Sequence, residues 1–323
     1  MALDLSPATN DIGPLFRHTS FLPLLHLLQP HLPHGLPVYS TLATPGFEPS
    51  VWASFPPGKE DVRSFSPTEK PWFALADLGN QLRFFCSEEV DKDLTAEQKE
   101  KAEDLVVRSL RWYVREHPEG RTDIRIGGFA GIWTSCIERA FGQPFYPCNI
   151  HYQHLLADQP STSTSLPDGI SVKETEEKHI DQILSTSDVP HLPSYILTRL
   201  PHASSLFHSP TSSTSTPSSS TSSDQSPSAQ PELVAHCITH RDGSIGTVHV
   251  SPAFRQRGLG ALVMQERMRT MSAFHCPEEL DRYAYCYVSP DNEKSRALMR
   301  RIGMKKTEWY VYWAVVQVPL VGP

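Results

Sequence analysis

Gly246-Thr-Val-His-Val-Ser-Pro-Ala-Phe-Arg-Gln-Arg-Gly-Leu-Gly260 is the stretch on which the fold turns. Thr247, Val248 and Val250 favour a strand. Pro252 ends it, because proline has no N–H to give to a ladder. Arg255-Gln256-Arg257-Gly258-Leu259-Gly260 then makes a basic, glycine-containing loop, and Ala261 to Met271 reads as a helix. Such a loop presents backbone N–H groups at the positive end of a helix dipole. Gly258 and Gly260 carry no side chain that would hold an anion away. The stretch predicts a site for a phosphorylated ligand.

The segments that follow fall into a consistent order. Asp281 to Val288 reads as a second apolar strand, and Asp291-Asn292-x-x-Ser295-x-x-Leu298 as the start of another helix. Ile302-Gly303-Met304 closes that helix, and Lys305 to Val318 reads as a final long strand or hairpin. With this context, Arg255-x-x-Gly258-x-Gly260 after Val250-x-Pro252 resembles the acyl-CoA signature of the GNAT N-acyltransferase superfamily. Within it the chain is similar to the glycine N-acyltransferase-like group.

The resemblance implies a mixed α/β fold, with a mostly antiparallel sheet and a splayed central strand pair. A second GNAT-like α/β half would precede it. It implies acetyl-CoA or another acyl-CoA as co-substrate, held by Arg255, Gln256, Arg257, Gly258, Leu259 and Gly260. Backbone groups of Val248 and Val250 would face the pantetheine chain, in a slot shared with the strand Tyr283 to Val288. Asn292 matches a position that often bonds the pantetheine arm, and it also suits a helix N-cap. The acceptor would be a primary amine, small or peptidyl, attacking the thioester directly.

An amine near pKa 10 needs a proton acceptor, so a Glu, a His or a water chain is expected. Where the glycine acyltransferases carry a glutamate, this chain has Ser244, a poor base. His249 is the ionisable side chain of the strand, and its pKa suits the task. Strict alternation puts it on the face opposite Ser244 and Gly246, and a β-bulge would reverse that phase. Where many members place a tyrosine acid, the chain has Met299. The alternative to an enzyme is a catalytically inactive acyl-CoA-binding or interaction protein.

Composition sets the frame. The 323 residues suggest two domains, with a degenerate GNAT-like unit over 1–158 and the CoA-binding unit over 168–323. A formal net charge of −7 argues against a nucleic-acid partner. Residues 251–310 nevertheless hold eleven Lys and Arg against seven Asp and Glu, a local excess that suits an anion. Six scattered cysteines point to a reduced, intracellular protein rather than a disulfide scaffold. No segment approaches the roughly 18 apolar residues of a membrane span, and no targeting pattern is seen, so cytoplasm is the default expectation.

In the first half, Phe21 to Leu28 reads as helix, and Leu36 to Leu42 and Ser50 to Phe55 as strands. Asp93 to His117 is the clearest helix: Thr95-x-x-Gln98 makes a capping box, and Ala102, Leu105, Val106, Leu110 and Tyr113 share a face. Ile124 to Ile126 reads as a short strand and Ile132 to Phe141 as a helix. Cys148-x-x-His151-x-x-His154 lacks a fourth metal ligand and is read as loop, with no metal expected. Gln159 to Pro167 is a polar connector, followed by a strand at Gly169 to Val172 and helices at Thr175 to Leu184 and Pro193 to Leu200.

Fifteen of the 23 residues from Ser209 to Pro231 are Ser or Thr. That composition cannot offset its own ordering entropy and predicts a disordered loop. It separates the strands Ser204 to His208 and Leu233 to His240. If these pair as a hairpin, the tract is a swollen loop inside the catalytic unit, a cheap insertion because closure entropy grows only logarithmically.

Overall fold

The structure is a computed structural model that describes residues 15–57, 67, 70–91, 93–117, 121–142, 145–155, 165–209, 230–272 and 280–317. The first half runs β1 (Phe16–His18), α1 (Leu22–Leu28), α2 (Leu36–Ala43), β2 (Ser50–Ala53), β3 (Phe73–Asp77), β4 (Gln81–Cys86), α3 (Ala96–Glu116), β5 (Asp123–Ala130), α4 (Thr134–Phe141) and β6 (Phe145–His154). The second runs β7 (Ile170–Lys173), α5 (Ile180–Ser185), α6 (Pro193–Arg199), β8 (Ala203–His208), β9 (Glu232–Thr239), β10 (Ile245–Val250), α7 (Leu259–Ser272), β11 (Tyr283–Val288), α8 (Glu293–Arg301), β12 (Lys305–Lys306) and β13 (Val311–Gln317).

The fold is the mixed, mostly antiparallel α/β architecture expected from the sequence. One sheet has the order β1-β2-β3-β4-β5-β13-β6-β11, with β12 also on β6, and the other runs β10-β9-β8-β7. Among the described residues two parallel contacts break the antiparallel rule: β4 with β5, and a single bridge between Ser244 and Tyr285 where β10 meets β11. The halves exchange their last strands. β6, from the first half, pairs with β11 of the second. β13, from the second, pairs with β5 of the first. The two exchanged strands pair with each other in the middle, Val311 to Ala314 against Phe145 to Cys148.

α3 shows why a segment takes its form. Thr95 Oγ1 accepts from Gln98 N at 3.2 Å and Gln98 Oε1 accepts from Thr95 N at 2.9 Å, the reciprocal cap read from the sequence. Ala102, Val106, Leu110 and Tyr113 of its inner face are buried against β3, β4 and β5. Each larger one contributes about 1.5–3 kcal/mol of burial.

Three readings need correction. Leu36 to Leu42 is helix α2, not a strand. Pro37 sits in its first turn, where a missing N–H costs nothing, and every residue from Leu36 to Leu42 is buried. Val38, Tyr39 and Thr41 are residues that favour strands, but tertiary burial overrides that preference. Cys148 to His154 is not a loop but most of strand β6. Its Pro147 lies where β6 pairs only with β13, two residues before pairing with β11 begins at Asn149. The strand read at Ile124 to Ile126 extends to Asp123–Ala130.

β8 and β9 are adjacent and antiparallel, with Ala203 opposite Ile238 and His208 opposite Glu232. The Ser/Thr tract therefore connects neighbouring strands of one sheet. Its residues 210–229, and 156–164 around the polar connector, lie outside the described residues.

Candidate functional site

The site grows from the divergence of β10 and β11. Ser244 and Tyr285 bridge at the closed end. Beyond them β10 continues along β9 and β11 along β6, leaving a gap between Val248–Val250 and Val288. Val248 and Val250 are half-buried and pack on the core beneath α7.

A bulge shapes the β10 edge. Gly246 lies opposite Ile238 and His249 opposite His236, so three steps on β10 match two on β9. Thr247 takes φ +52°, a conformation rare for a β-branched residue. The extra residue reverses the alternation, as a bulge must. His249 thus shares a face with Ser244 and Gly246, contrary to strict alternation. Its ring stacks on His236 at 5.6 Å. Burial, then Arg255, lowers the His249 pKa.

The chain leaves β10 through a short 3-10 turn, Pro252–Phe254, and enters the glycine loop. Gln256 takes φ +64° and Gly258 φ +81°, so the backbone curls on itself, as in anion-binding nests. Gly258 O accepts from Ala261 N at 3.0 Å and from Leu262 N at 3.1 Å, which starts α7. The amides just before them have no preceding helical carbonyl and point outward at the dipole's positive end. Leu259 is 1% exposed, so its side chain anchors the loop in the core and only its amide faces the site. Arg255 Nε donates to Val250 O at 3.1 Å, and Arg257 lies over the Phe254 ring at 5.1 Å. Arg301, at the end of α8, is a cation that sequence reading missed: a methyl on Gly258 would stand 3.6 Å from its Nη2. Only the fold brings it there, 43 residues along the chain.

Asn292 Oδ1 accepts from Ser295 N at 3.0 Å, so it caps α8 beside the open end of the gap. Met299 is buried, with its sulfur 3.4 Å from Cys286 Sγ. Cys148, His151 and His154 do not converge. Alternation along β6 sets His151 apart from the other two, which stand six strand residues, about 20 Å, from each other. His154 instead contacts Asp281 at 3.1 Å. No group of three metal-binding side chains occurs among the described residues, and no helix among them is long and apolar enough to cross a membrane.

A buried polar cluster closes the inner end. Ser244 donates its hydroxyl to Asp242 Oδ1 at 2.6 Å and its amide to the same oxygen at 3.0 Å. Asp242 Oδ2 accepts from Arg83 Nη2 at 2.8 Å and Nε at 3.2 Å, across the two halves. Burial opposes the Asp242 charge, but Arg83 and His240 more than offset it and hold the carboxyl below its ordinary pKa. Tyr285 Oη donates to Asp242 O at 2.8 Å, and Arg83 stacks over Trp313 at 4.4 Å.

Comparisons with known proteins bear on the second half most directly. Residues 226–314 match the family described as FR47-like protein, which is of GNAT type. No curated protein matches the sequence significantly. A Drosophila protein of known structure superposes over 95% of this chain and 99% of its own, with a TM-score of 0.59 and 16% identity. A GCN5-related N-acetyltransferase from Sphaerobacter thermophilus covers 77% and 76%, at 13% identity and a TM-score of 0.46. A tandem GNAT protein from the clavulanic acid biosynthesis pathway covers 96% and 98%, at 12% and 0.46. Of the three, the Drosophila structure carries the argument, and what it carries is the fold. The family match and the loop geometry together support a GNAT-type second half.

Proposed function

We propose that the protein is an acyl-CoA-dependent N-acyltransferase. Its acceptor is a primary amine, small or peptidyl, of the kind the glycine N-acyltransferase-like group uses. The observation that carries this reading is the curled loop Arg255–Gly260 at the start of α7, opening beside the gap between β10 and β11. A pyrophosphate fits that loop through the amides of Gly258, Leu259 and Gly260, with Arg255, Arg257 and Arg301 supplying charge. The pantetheine arm then runs along Val248 and Val250, with the Asn292 amide nitrogen left to meet it.

The amine's lone pair attacks the thioester carbon and the CoA thiolate leaves. A CoA thiol near pKa 8.5 departs without a strong acid, so a buried Met299 is no obstacle. His249 lines the open face and is one group able to take the amine's proton. Buried Cys86, Cys136, Cys237 and Cys286 are free thiols, which suits a reducing, cytoplasmic setting.

A second reading has its own support: Ser244 is committed to Asp242, so the position offers no base, and a non-catalytic acyl-CoA binder would tolerate that. Calorimetry and thioester consumption over a panel of amines separate the two. Acyl-CoA should bind, and Gly258→Asp, which sets a negative side chain in the cradle, should weaken binding by about 100-fold or more while the fold survives. Unchanged affinity would refute the site. Binding without turnover on any amine would favour the non-catalytic reading.

A further inference from the structure

His240 follows the last residue of β9, directly across the hairpin from Ser244, whose carbonyl accepts its amide at 2.8 Å. Its Nδ1 lies 2.7 Å from the Tyr195 hydroxyl on α6. The two rings are 19° from parallel with centroids 5.9 Å apart, and His191 stacks on Tyr195 at 5.0 Å. The imidazole is therefore fixed by α6. Nδ1 carries the ring's one hydrogen bond among the described residues. Nε2 lies against Gly246, where a methyl group would meet it at 2.4 Å. Any side chain at 246 would displace the ring.

The face is decisive. α7 packs on one side of β9 and β10, over Ala235 and Cys237. α5 and α6 pack on the other side, over Ile238, and an amine bound beside them would reach a thioester in the β10–β11 gap from that side. That side carries His240, Ser244, Gly246 and, past the bulge, His249. Ser244 donates to Asp242, and Asp242 is bonded to Arg83. Neither is free to receive a proton. His240 Nε2 instead sits over the residue that precedes the bulge.

We infer that His240 Nε2 accepts the proton of the attacking amine, with Tyr195 holding the ring by taking the hydrogen bond from Nδ1–H. The inference rests on the acyl-transfer reading. The amine's lone pair forms the N–C bond to the thioester carbonyl, and its excess proton passes to Nε2. The tetrahedral adduct collapses, the C–S bond breaks, and the thiolate leaves with the electron pair and takes the proton back from His240. An amide and free CoA result, with no further reactant. Asp242, His191, Arg199 and Arg83 are the charged or titratable groups that face the ring besides Tyr195, and burial, the largest influence, lowers its pKa to about 4. The imidazole is thus neutral at pH 7 but a weaker base than a free histidine, so it takes its proton from the cationic adduct, which is far more acidic than the free ammonium.

Steady-state turnover of the full chain tests this, with CoA affinity measured on every variant. His240→Ala and His240→Gln should each lower kcat by about 10² or more, the range for a lost general base, with CoA affinity unchanged. Tyr195→Phe should lower kcat less. A His240→Gln protein that binds CoA and turns over normally overturns the inference, as does a loss confined to His249→Ala. A wild-type protein that binds acyl-CoA and consumes no thioester with any amine overturns the acyl-transfer reading, and the inference with it.

Discussion

After β4 in the first half and after β10 in the second, the chain leaves a diverging strand pair and enters a helix. β4 and β5 pair only at Gln81–Arg125 and Leu82–Ile126, as β10 and β11 touch only at Ser244–Tyr285. The two exits differ in chemistry. Beyond β4 lies Ser87-Glu-Glu-Val90, a 3-10 turn without glycine, and then α3, whose Gln98 amide is taken up by the Thr95 side chain in a capping box. Beyond β10 lies a glycine loop with two positive φ angles and three nearby arginines. The first half also fills its gap. Phe84 and Phe129 stack at 5.8 Å, and Trp133 Nε1 donates to Glu89 Oε1 at 2.9 Å. One framework thus supports an aromatic core in one half and a curled, arginine-flanked glycine loop in the other. The difference lies in a few loop residues, not in the strands.

The largest expected effect concerns what joins the halves. Arg83 on β4 and Asp242 in the β9–β10 turn form an ion pair with side chains 1% and 3% exposed. Arg83→Ala strands a buried carboxylate and should cost about 3–5 kcal/mol in denaturant unfolding. Arg83→Met with Asp242→Asn together should recover much of that loss, because no uncompensated charge remains. Equal damage from both would mean that the pair matters through shape and not through charge.

A smaller effect should distinguish the filled gap from the open one. Burial raises the Glu89 carboxyl to about 8, against the bonds from Trp133 and Cys86 that favour its charge. Between the ordinary carboxyl range and that value, the folded chain keeps a proton that the unfolded chain has lost. Stability therefore falls as pH rises through this window. Glu89→Gln keeps an oxygen for Trp133 and cannot ionise. It should flatten the slope and add roughly 1–3 kcal/mol at pH 8, with little change near pH 4.5. Parallel melts at the two pH values that keep the wild-type slope would remove Glu89 as its source.

The second half was the more legible in the sequence, for a physical reason. Gly258 and Gly260 shape local backbone, so their spacing alone reports the curled loop at the start of α7. The long helix α3 announced itself through its cap and its apolar period. Other features depend on distant residues. α2 is buried all round, so no periodicity separates it from a strand. β3 and β4 carry no signal that sequence reading used, and the strand exchange through β6 and β13 pairs residues far apart in the chain, from His154 with Tyr283 to Asp123 with Gln317. Arg301 reaches the loop, and His240 meets Tyr195, only in the folded chain. The Thr247 bulge lies between: sequence reading foresaw that a bulge would turn His249 over, and only the register shows that it does.

The smallest effect bears on Asn292, where two readings of one residue diverge. As a cap it accepts from Ser295 N, and Asn292→Ala should cost α8 about 1 kcal/mol, as lost caps commonly do. Asn292→Ser restores an oxygen at the cap but removes the amide nitrogen that would meet the pantetheine arm. The pair of variants separates structure from recognition. If Asn292 only caps, Ser should rescue both stability and acyl-CoA affinity. If the amide also holds the cofactor, Ser should rescue the melting temperature while affinity stays a few-fold low, the worth of one neutral hydrogen bond. The Thr95 cap of α3 supplies the contrast. Thr95→Ala should cost a similar amount of stability and leave acyl-CoA affinity untouched, because no cradle opens beside that helix.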